Sequence, residues 1–273
     1  MSGSLVCVGT GMLLGGHISP ISTSYIAQAD VVFSLMSTGI SERWVEEMHD
    51  DVRSLQSYYQ EGKNRNITYN EMVEAILLEV RAGRKVVAVF YGHPGVFACV
   101  SHRAIKQAEL EKFPAHMEAG ISAEDCLYAD LSIDPGKSGC INYEASQFMF
   151  YQRSIDPAAH LILWQVGLAG DKSLEKFSTG SAYRQILVDL LLETYPADHQ
   201  VILYQAKVLP IDIMRAEHIT LADLVDAELF MHTTLVIPPS EKMRPNQAVL
   251  DKLARLDQQK PQNKHRPKLT LVL

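Results

Sequence analysis

Residues 85–97 read KVVAVFYGHPGVF, an unbroken apolar run of strand length that stops at Gly92, His93, Pro94 and Gly95. A run rich in β-branched and aromatic residues, ended by glycine and proline, reads as a buried strand feeding a tight loop. In an open α/β sheet the carboxyl end of such a strand borders the ligand crevice. Gly92 and Gly95 let a ligand approach the backbone closely, and Pro94 stiffens the turn. The same residues also suit a glycine-rich connection that binds nothing, and this stretch alone does not choose between the two.

Outward from it, residues 4–9 form a short apolar strand that breaks into GTGMLLGG, residues 9–16. The third glycine falls one place late for a dinucleotide fingerprint, and no acidic residue closes the next strand, residues 31–36, which argues against a nicotinamide site. Ser19 and Pro20 read as an N-cap and first helical position. Residues 41–66 are charged and aromatic, longer than a typical α/β connection, and are expected to be a functional or a disordered loop. Thr68 and Glu71 predict a capping box, with Met72, Val73, Ile76, Leu77 and Val80 on one helical face, Gly83 as terminator and Tyr69 in the first turn. Tyr58, Arg65 and Tyr69 therefore gather at one helix start. Ser101 is expected to cap a helix ending near Phe113, followed by a strand at 115–119. After Gly120, Ser122 and Asp125 predict a second capping box. Three glycine-marked loops at strand ends imply one shared crevice.

The second half predicts strands at 140–143, 161–166, 201–205 and 233–237, with a helix at 182–195. The expected division is an amino-terminal α/β domain, mostly parallel, over 1–120, a carboxyl-terminal domain with a mixed sheet over 121–240, and a basic tail over 241–273 that ends in the apolar KLTLVL. No internal repeat is visible.

With 273 residues, 47% of them hydrophobic, the chain has material for a large core, and a formal charge of −7 argues against a nucleic-acid-gripping role. Cys7, Cys99, Cys126 and Cys140 make neither a disulfide framework nor a zinc set, so no metal is expected. The sequence shows no signal peptide and no span of membrane length, and predicts a soluble, cytoplasmic protein without a membrane partner. No phosphate-binding loop, nucleophile elbow or zinc helix occurs. His93 offers either a general base or a backbone tether. What remains is a reaction that borrows its reactivity from an organic cofactor.

The blocks VGTGMLLGGHIS, FYGHPGVF and GISAEDCLYADL, in this order, resemble the tetrapyrrole-methylase superfamily. More narrowly, FYGHPGVF, SAEDCLYADLSIDP, GCINYEAS, HLILWQVG and VIPP are similar to the borosin peptide backbone α-N-methyltransferases of the omphalotin type, over roughly residues 5–239. The resemblance implies a two-domain class III methyltransferase fold of α/β class, with S-adenosylmethionine in the cleft between domains, and a homodimer. It implies cofactor contacts at Tyr91, His93, Val96, Phe97, Ser122, Ala123, Gln165, Ala206, Thr233 and Thr234, and catalytic roles for Tyr58, Arg65 and Tyr69. In the family a proline precedes the arginine; here Asn64 does.

Chemically the trio is coherent. An amide nitrogen is a poor nucleophile because its lone pair is delocalised into the carbonyl. Its methylation requires removing a proton and holding the resulting imidate. The expectation is that a phenolate of Tyr58 or Tyr69 takes the proton while Arg65 lowers that phenol's pKa and steadies the negative charge. The fungal relatives carry their substrate at the carboxyl terminus, whereas here little follows Pro239. A precursor peptide on a separate chain is favoured over the tail, in a homodimer or a heterotetramer with that precursor. The alternatives are a small-molecule, tetrapyrrole-type methyltransferase of the same superfamily and a non-catalytic peptide-binding module.

Overall fold

The computed structural model describes residues 3–259. The chain divides into two compact units, Met1–Ser240 and Glu241–Leu273. The first half of the larger unit runs β1 (Ser4–Gly9), α1 (Pro20–Ala27), β2 (Val31–Leu35), α2 (Gly39–Glu46), β3 (Val52–Ser54), α3 (Arg65–Arg81), β4 (Lys85–Phe90), α4 (Cys99–Leu110) and β5 (Ala115–Met117). Its second half runs α5 (Ala123–Leu131), α6 (Pro135–Ser138), β6 (Cys140–Glu144), α7 (Ala145–Phe150), β7 (His160–Trp164), α8 (Ser181–Leu192), β8 (Gln200–Gln205), β9 (Arg215–Thr220) and β10 (Thr234–Ile237). The smaller unit contains α9 (Gln247–Gln259), on which Val249, Leu250, Leu253 and Leu256 are exposed. The apolar ending KLTLVL lies outside the described residues.

The first sheet has the order β3-β2-β4-β1-β5 and every pairing in it is parallel. Its central strands, β2, β4 and β1, read as near-continuous apolar runs because both faces are covered. Leu5, Cys7, Val86, Ala88 and Phe90 point into a core shared with Met72, Ile76, Leu77 and Val80 of α3. Val6, Val8, Val87 and Val89, one residue out of phase, point into a second core with Ile26 of α1 and Val45 of α2. From β1 the chain crosses to β2 on one side, and from β4 to β5 on the other. The carboxyl ends of β1 and β4 thus sit side by side at the reversal of strand order, where α/β sheets open a crevice.

The second sheet has the order β6-β7-β10-β8-β9, parallel between β6 and β7 and antiparallel elsewhere. Leu161, Leu163, Val201, Leu203 and Leu235 face a core with α8, while Ile162, Trp164, Ile202, Tyr204 and Val236 face Leu127 of α5. Trp164 is large and buried, so Trp164→Ala should cost about 3–5 kcal/mol. Urea unfolding will read this as a lower midpoint at unchanged slope, and an unmoved midpoint would show that the site collapses around the loss.

Three local expectations are corrected. Residues 41–66 are not one long loop: they hold most of α2, β3 and a 3-10 turn at Gln56–Tyr58, and Thr38 caps α2 by accepting from the Ser41 amide. Helix α3 starts a turn earlier than the Thr68–Glu71 pattern suggests, because Asn64 is its N-cap, so Tyr69 is in the second turn and Thr68 is buried. Ser101 lies inside α4, its hydroxyl donating back to the carbonyls of Ala98, at 2.8 Å, and Pro94.

Candidate active site

The three glycine loops converge. Gly11 and Gly92 exchange backbone hydrogen bonds, at 3.1 and 2.9 Å, closing the loop after β1 onto the loop after β4. A methyl group on Gly9 would stand 2.2 Å from the Gly92 carbonyl oxygen, and one on Gly120 2.9 Å from the same atom. All three loops therefore pass one another at a separation that leaves no room for a side chain. His93 tethers its own loop, with Nδ1 accepting from the Gly95 amide at 2.9 Å. The backbone-tether reading of this histidine is what the geometry shows. That turn leaves Tyr91, Val96 and Phe97 exposed, together with Ile121 from the third loop. Phe97 holds a left-handed φ of 52° and its ring lies 5.6 Å from that of Trp164.

Trp164 ends β7, so this contact brings the central loop to an edge of the second sheet. The next residue, Gln165, is also left-handed, at φ 56°. The Val166 amide donates to the Thr233 carbonyl at 2.9 Å, and Gln205 Nε2 donates to Thr233 Oγ1 at 2.7 Å. The antiparallel register sets Thr234 opposite Tyr204, so Gln165, Ala206, Thr233 and Thr234 form one row along the sheet edge. Thr233 and Thr234 are buried, as is Ser122, which closes the predicted capping box with Asp125. Their hydroxyls shape the edge and the helix start, while the surface open to a ligand is formed by Tyr91, Val96, Phe97 and Ile121. Ala123, beside Ser122, packs against the core under α5. Exposed rings and aliphatic side chains beside a polar, glycine-walled turn fit a donor with one flat apolar part and one polar part.

Of the predicted trio, Arg65 and Tyr69 share one helix, and the Tyr58 carbonyl meets that helix too, accepting from Thr68 Oγ1 at 3.5 Å. The ring that meets Tyr69 edge-on is that of Tyr59, with centroids 6.3 Å apart; Tyr58 packs against the first core while its carbonyl accepts from Lys63 Nζ at 3.2 Å. Burial pushes the Tyr69 phenol up, Cys99 adds to the rise, and the charge of Arg65 and the hydroxyl of Tyr59 pull it partly back. Burial and the neighbouring Tyr69 and Tyr91 raise Tyr59 still further. Tyr69 is thus within electrostatic reach of Arg65 on its own helix, of Tyr91 on the central loop and of Cys99 at the start of α4. Arg65 lowers the phenol's pKa, as expected, but burial outweighs it and the net direction is upward. Burial also raises all four thiols, Cys126 to about 11, so none of them is a ready thiolate.

Asn64 and Arg65 hold a turn from the second half of the chain. Asn64 Nδ2 donates to the Ser173 carbonyl at 2.8 Å, the Arg65 amide to the Leu174 carbonyl at 2.9 Å, and Arg65 Nη1 to the Lys176 carbonyl at 2.6 Å. Asn64 therefore does two jobs, capping α3 and gripping residue 173. Tyr59 and Asp171 are the site residues that sequence pattern does not single out: two adjacent tyrosines look alike, and an aspartate in a polar loop carries no mark of burial.

A family profile described as tetrapyrrole (corrin/porphyrin) methylases matches residues 4–206. The chain is 41% identical over 256 residues to the methyltransferase/ribosomally synthesized cyclic peptide lentinulin A precursor of Lentinula edodes, covering 92% of this chain and 61% of that protein. It is 38% identical to the omphalotin A precursor of Omphalotus olearius, with the same two coverages. To the type I borosin cyclic peptide precursor of Coprinopsis marcescibilis it is 38% identical, over 95% of this chain and 69% of that protein. The chain thus spans about three fifths of the length of the first two relatives. Among solved structures, the cobalt precorrin-4 methyltransferase of cobalamin biosynthesis superposes with a TM-score of 0.62 at 14% identity, over 86% of this chain and 94% of that one, a likeness of fold. By profile and by these relatives, the chain belongs to the tetrapyrrole methylase family, in the branch of the borosin methyltransferases.

Proposed function

We propose that the chain is an S-adenosylmethionine-dependent methyltransferase acting on main-chain amide nitrogens of a ribosomally made precursor peptide. The observation that carries this reading is the position of Tyr69, on the helix that Arg65 opens and edge-on to Tyr59 at 6.3 Å, within electrostatic reach of Tyr91 of the glycine-walled turn. Tyr91, Val96 and Phe97 would hold the donor's flat part, with Gln165, Ala206 and the Thr233–Thr234 edge flanking it and Ser122 and Ala123 closing one end. Bound there, S-adenosylmethionine supplies a sulfonium-borne electrophilic methyl group.

The protein's own residues have a different task, which is to make an amide nucleophilic. Tyr69 acts as the phenolate, which a hydrogen bond from the Tyr59 hydroxyl favours; it accepts the amide proton and becomes the neutral phenol, while Arg65 offsets the charge that develops on the peptide oxygen. Arg65 has five N–H donors and shows two in use, so donors remain for that oxygen. Tyr58, from its place against the core, supports the turn that presents Tyr59. The two sheets would then act as two domains, 1–120 and 121–240, working as a homodimer in the cytoplasm with a peptide on a separate chain.

Because burial raises the acting phenol above its usual value near pH 10, the deprotonated fraction at neutral pH is small and grows with pH. The logarithm of turnover should therefore climb with a slope near one from about pH 7 to pH 9. A flat profile there would remove a tyrosine base. The test of the function itself uses radiolabelled S-adenosylmethionine with the full chain, offered the linear lentinulin A sequence or a synthetic peptide of residues 260–273. Label in the added peptide supports the proposal, and label on the chain itself would replace the separate substrate with its own tail. No label on any peptide would leave the binding-module reading standing.

A further inference from the structure

Asp171 is the one charged side chain within the buried set of the described residues, with 1% of its side chain exposed. Its Oδ1 accepts from the Ser173 amide at 2.9 Å and the Ser173 hydroxyl at 2.6 Å. Its Oδ2 accepts from the Lys176 amide at 3.2 Å and faces Arg65 Nη2 at 3.4 Å. The carboxylate thereby ties residues 171–176 into a turn whose carbonyls point outward to one recipient. Those carbonyls, from Ser173 to Lys176, accept from Asn64 Nδ2, the amides of Arg65 and Gly62, and Arg65 Nη1. The turn is a mould for the start of α3, closed by an ion pair.

We infer that Asp171 is a positioning residue for the methyl transfer: it fixes the guanidinium of Arg65 at the head of α3, where Arg65 faces Tyr69, without itself meeting donor or peptide. Three features argue for this. A buried carboxylate is retained at a cost that a neutral side chain would avoid, unless its charge has a partner to orient. Here that partner is the arginine next to the acting phenol. The mould also leads directly back to the donor edge, through the buried turn Val166–Leu168 that follows Gln165. One short segment of chain therefore sets both the flank of the donor and the angle of the arginine, and relative placement is what a transfer between two bound groups depends on.

The inference rests on the methyl-transfer reading, and its test separates the two. Turnover of the linear lentinulin A sequence is measured with the full chain and the variants Asp171→Asn, Arg65→Lys and the double substitution, alongside S-adenosylmethionine affinity by calorimetry and thermal melting. Asp171→Asn keeps the size and one acceptor oxygen and removes the charge. It should lower kcat about 10²-fold, with KM and donor affinity within about twofold of the parent. In the Arg65→Lys background it should cost less than about twofold more, since its effect passes through Arg65. A wild-type kcat for Asp171→Asn, or the same loss in both backgrounds, overturns the inference and leaves the function intact. Wild-type turnover by Arg65→Lys and by Arg65→Ala instead overturns the catalytic reading of the arginine. Should Asp171→Asn fail to fold, Ser173→Ala takes its place, loosening the carboxylate while keeping its charge, with a smaller kcat loss expected and none in the Arg65→Lys background. If the wild-type chain leaves the probe peptide unmethylated, hydrogen exchange decides: the amides of Gly62 and Arg65 should exchange at least about tenfold faster in Ser173→Ala than in the parent, and an unchanged rate rejects the mould.

Discussion

Tyr69→Phe is expected to lower methyl transfer about 10²- to 10⁴-fold while leaving donor binding and folding near the parent values. The substitution removes one hydroxyl and keeps the ring, which packs partly buried against the first core and edge-on to Tyr59. Its effect should fall on kcat, because only the phenol oxygen is placed to accept the amide proton. Tyr59→Phe should produce a smaller loss, about tenfold, since that hydroxyl favours the Tyr69 phenolate without taking the proton itself. Single-turnover measurements with labelled donor separate these from binding effects. Equal losses for the two would make the pair, and not Tyr69, the titrating unit, and full activity of Tyr69→Phe would move the base elsewhere.

Gly9→Ala is expected to damage both the fold and the donor site. The added carbon would stand 2.2 Å from the Gly92 carbonyl oxygen and 2.9 Å from the Pro94 ring. Neither neighbour is a flexible side chain, so the loop after β4 must shift, and with it the ring of Phe97 and the tether at His93. A cost of about 3 kcal/mol or more is expected from overpacking of this kind, read as a lowered thermal midpoint together with loss of donor affinity. Gly15→Ala makes the control: that position, unlike Gly9, has a positive φ, 69°, but nothing within contact distance, so it should carry a modest backbone penalty and leave the donor site alone. Equal affinity for donor in the two variants would mean that the meeting of the glycine loops has no part in binding.

Much of this architecture was legible in residue order alone. The central strands announce themselves because a sheet covered on both faces needs apolar residues at every position, as in residues 86–90. The glycine loops were readable for a related reason, since strand ends passing at backbone distance tolerate no side chain. Of the edge strands, β5 and β6 were readable, and β3 and β9 were not. Strand β9, RAEHIT, has one partner and one polar flank, so its composition resembles a loop, and β3 is too short to show alternation. The start of α3 was misread because Thr68 and Glu71 satisfy a local rule, while the true cap, Asn64, is fixed by Ser173, a residue far along the chain. The same distance hid Asp171. In the proposed site, Arg65 and Tyr69 are read from the resemblance, while the choice between Tyr58 and Tyr59 depends on which way a 3-10 turn rotates its last residues, and no periodicity reports that.

The central claim is that the group methylated is a backbone nitrogen. Tandem mass spectrometry of the linear lentinulin A sequence, after incubation with the full chain and S-adenosylmethionine, tests it most directly. Mass gains of one methyl each should stay with main-chain fragments and with the residues' N-methyl immonium ions, and should vanish with Tyr69→Phe. Methyl groups confined to side chains or peptide termini, or gains that persist undiminished in Tyr69→Phe, would contradict it.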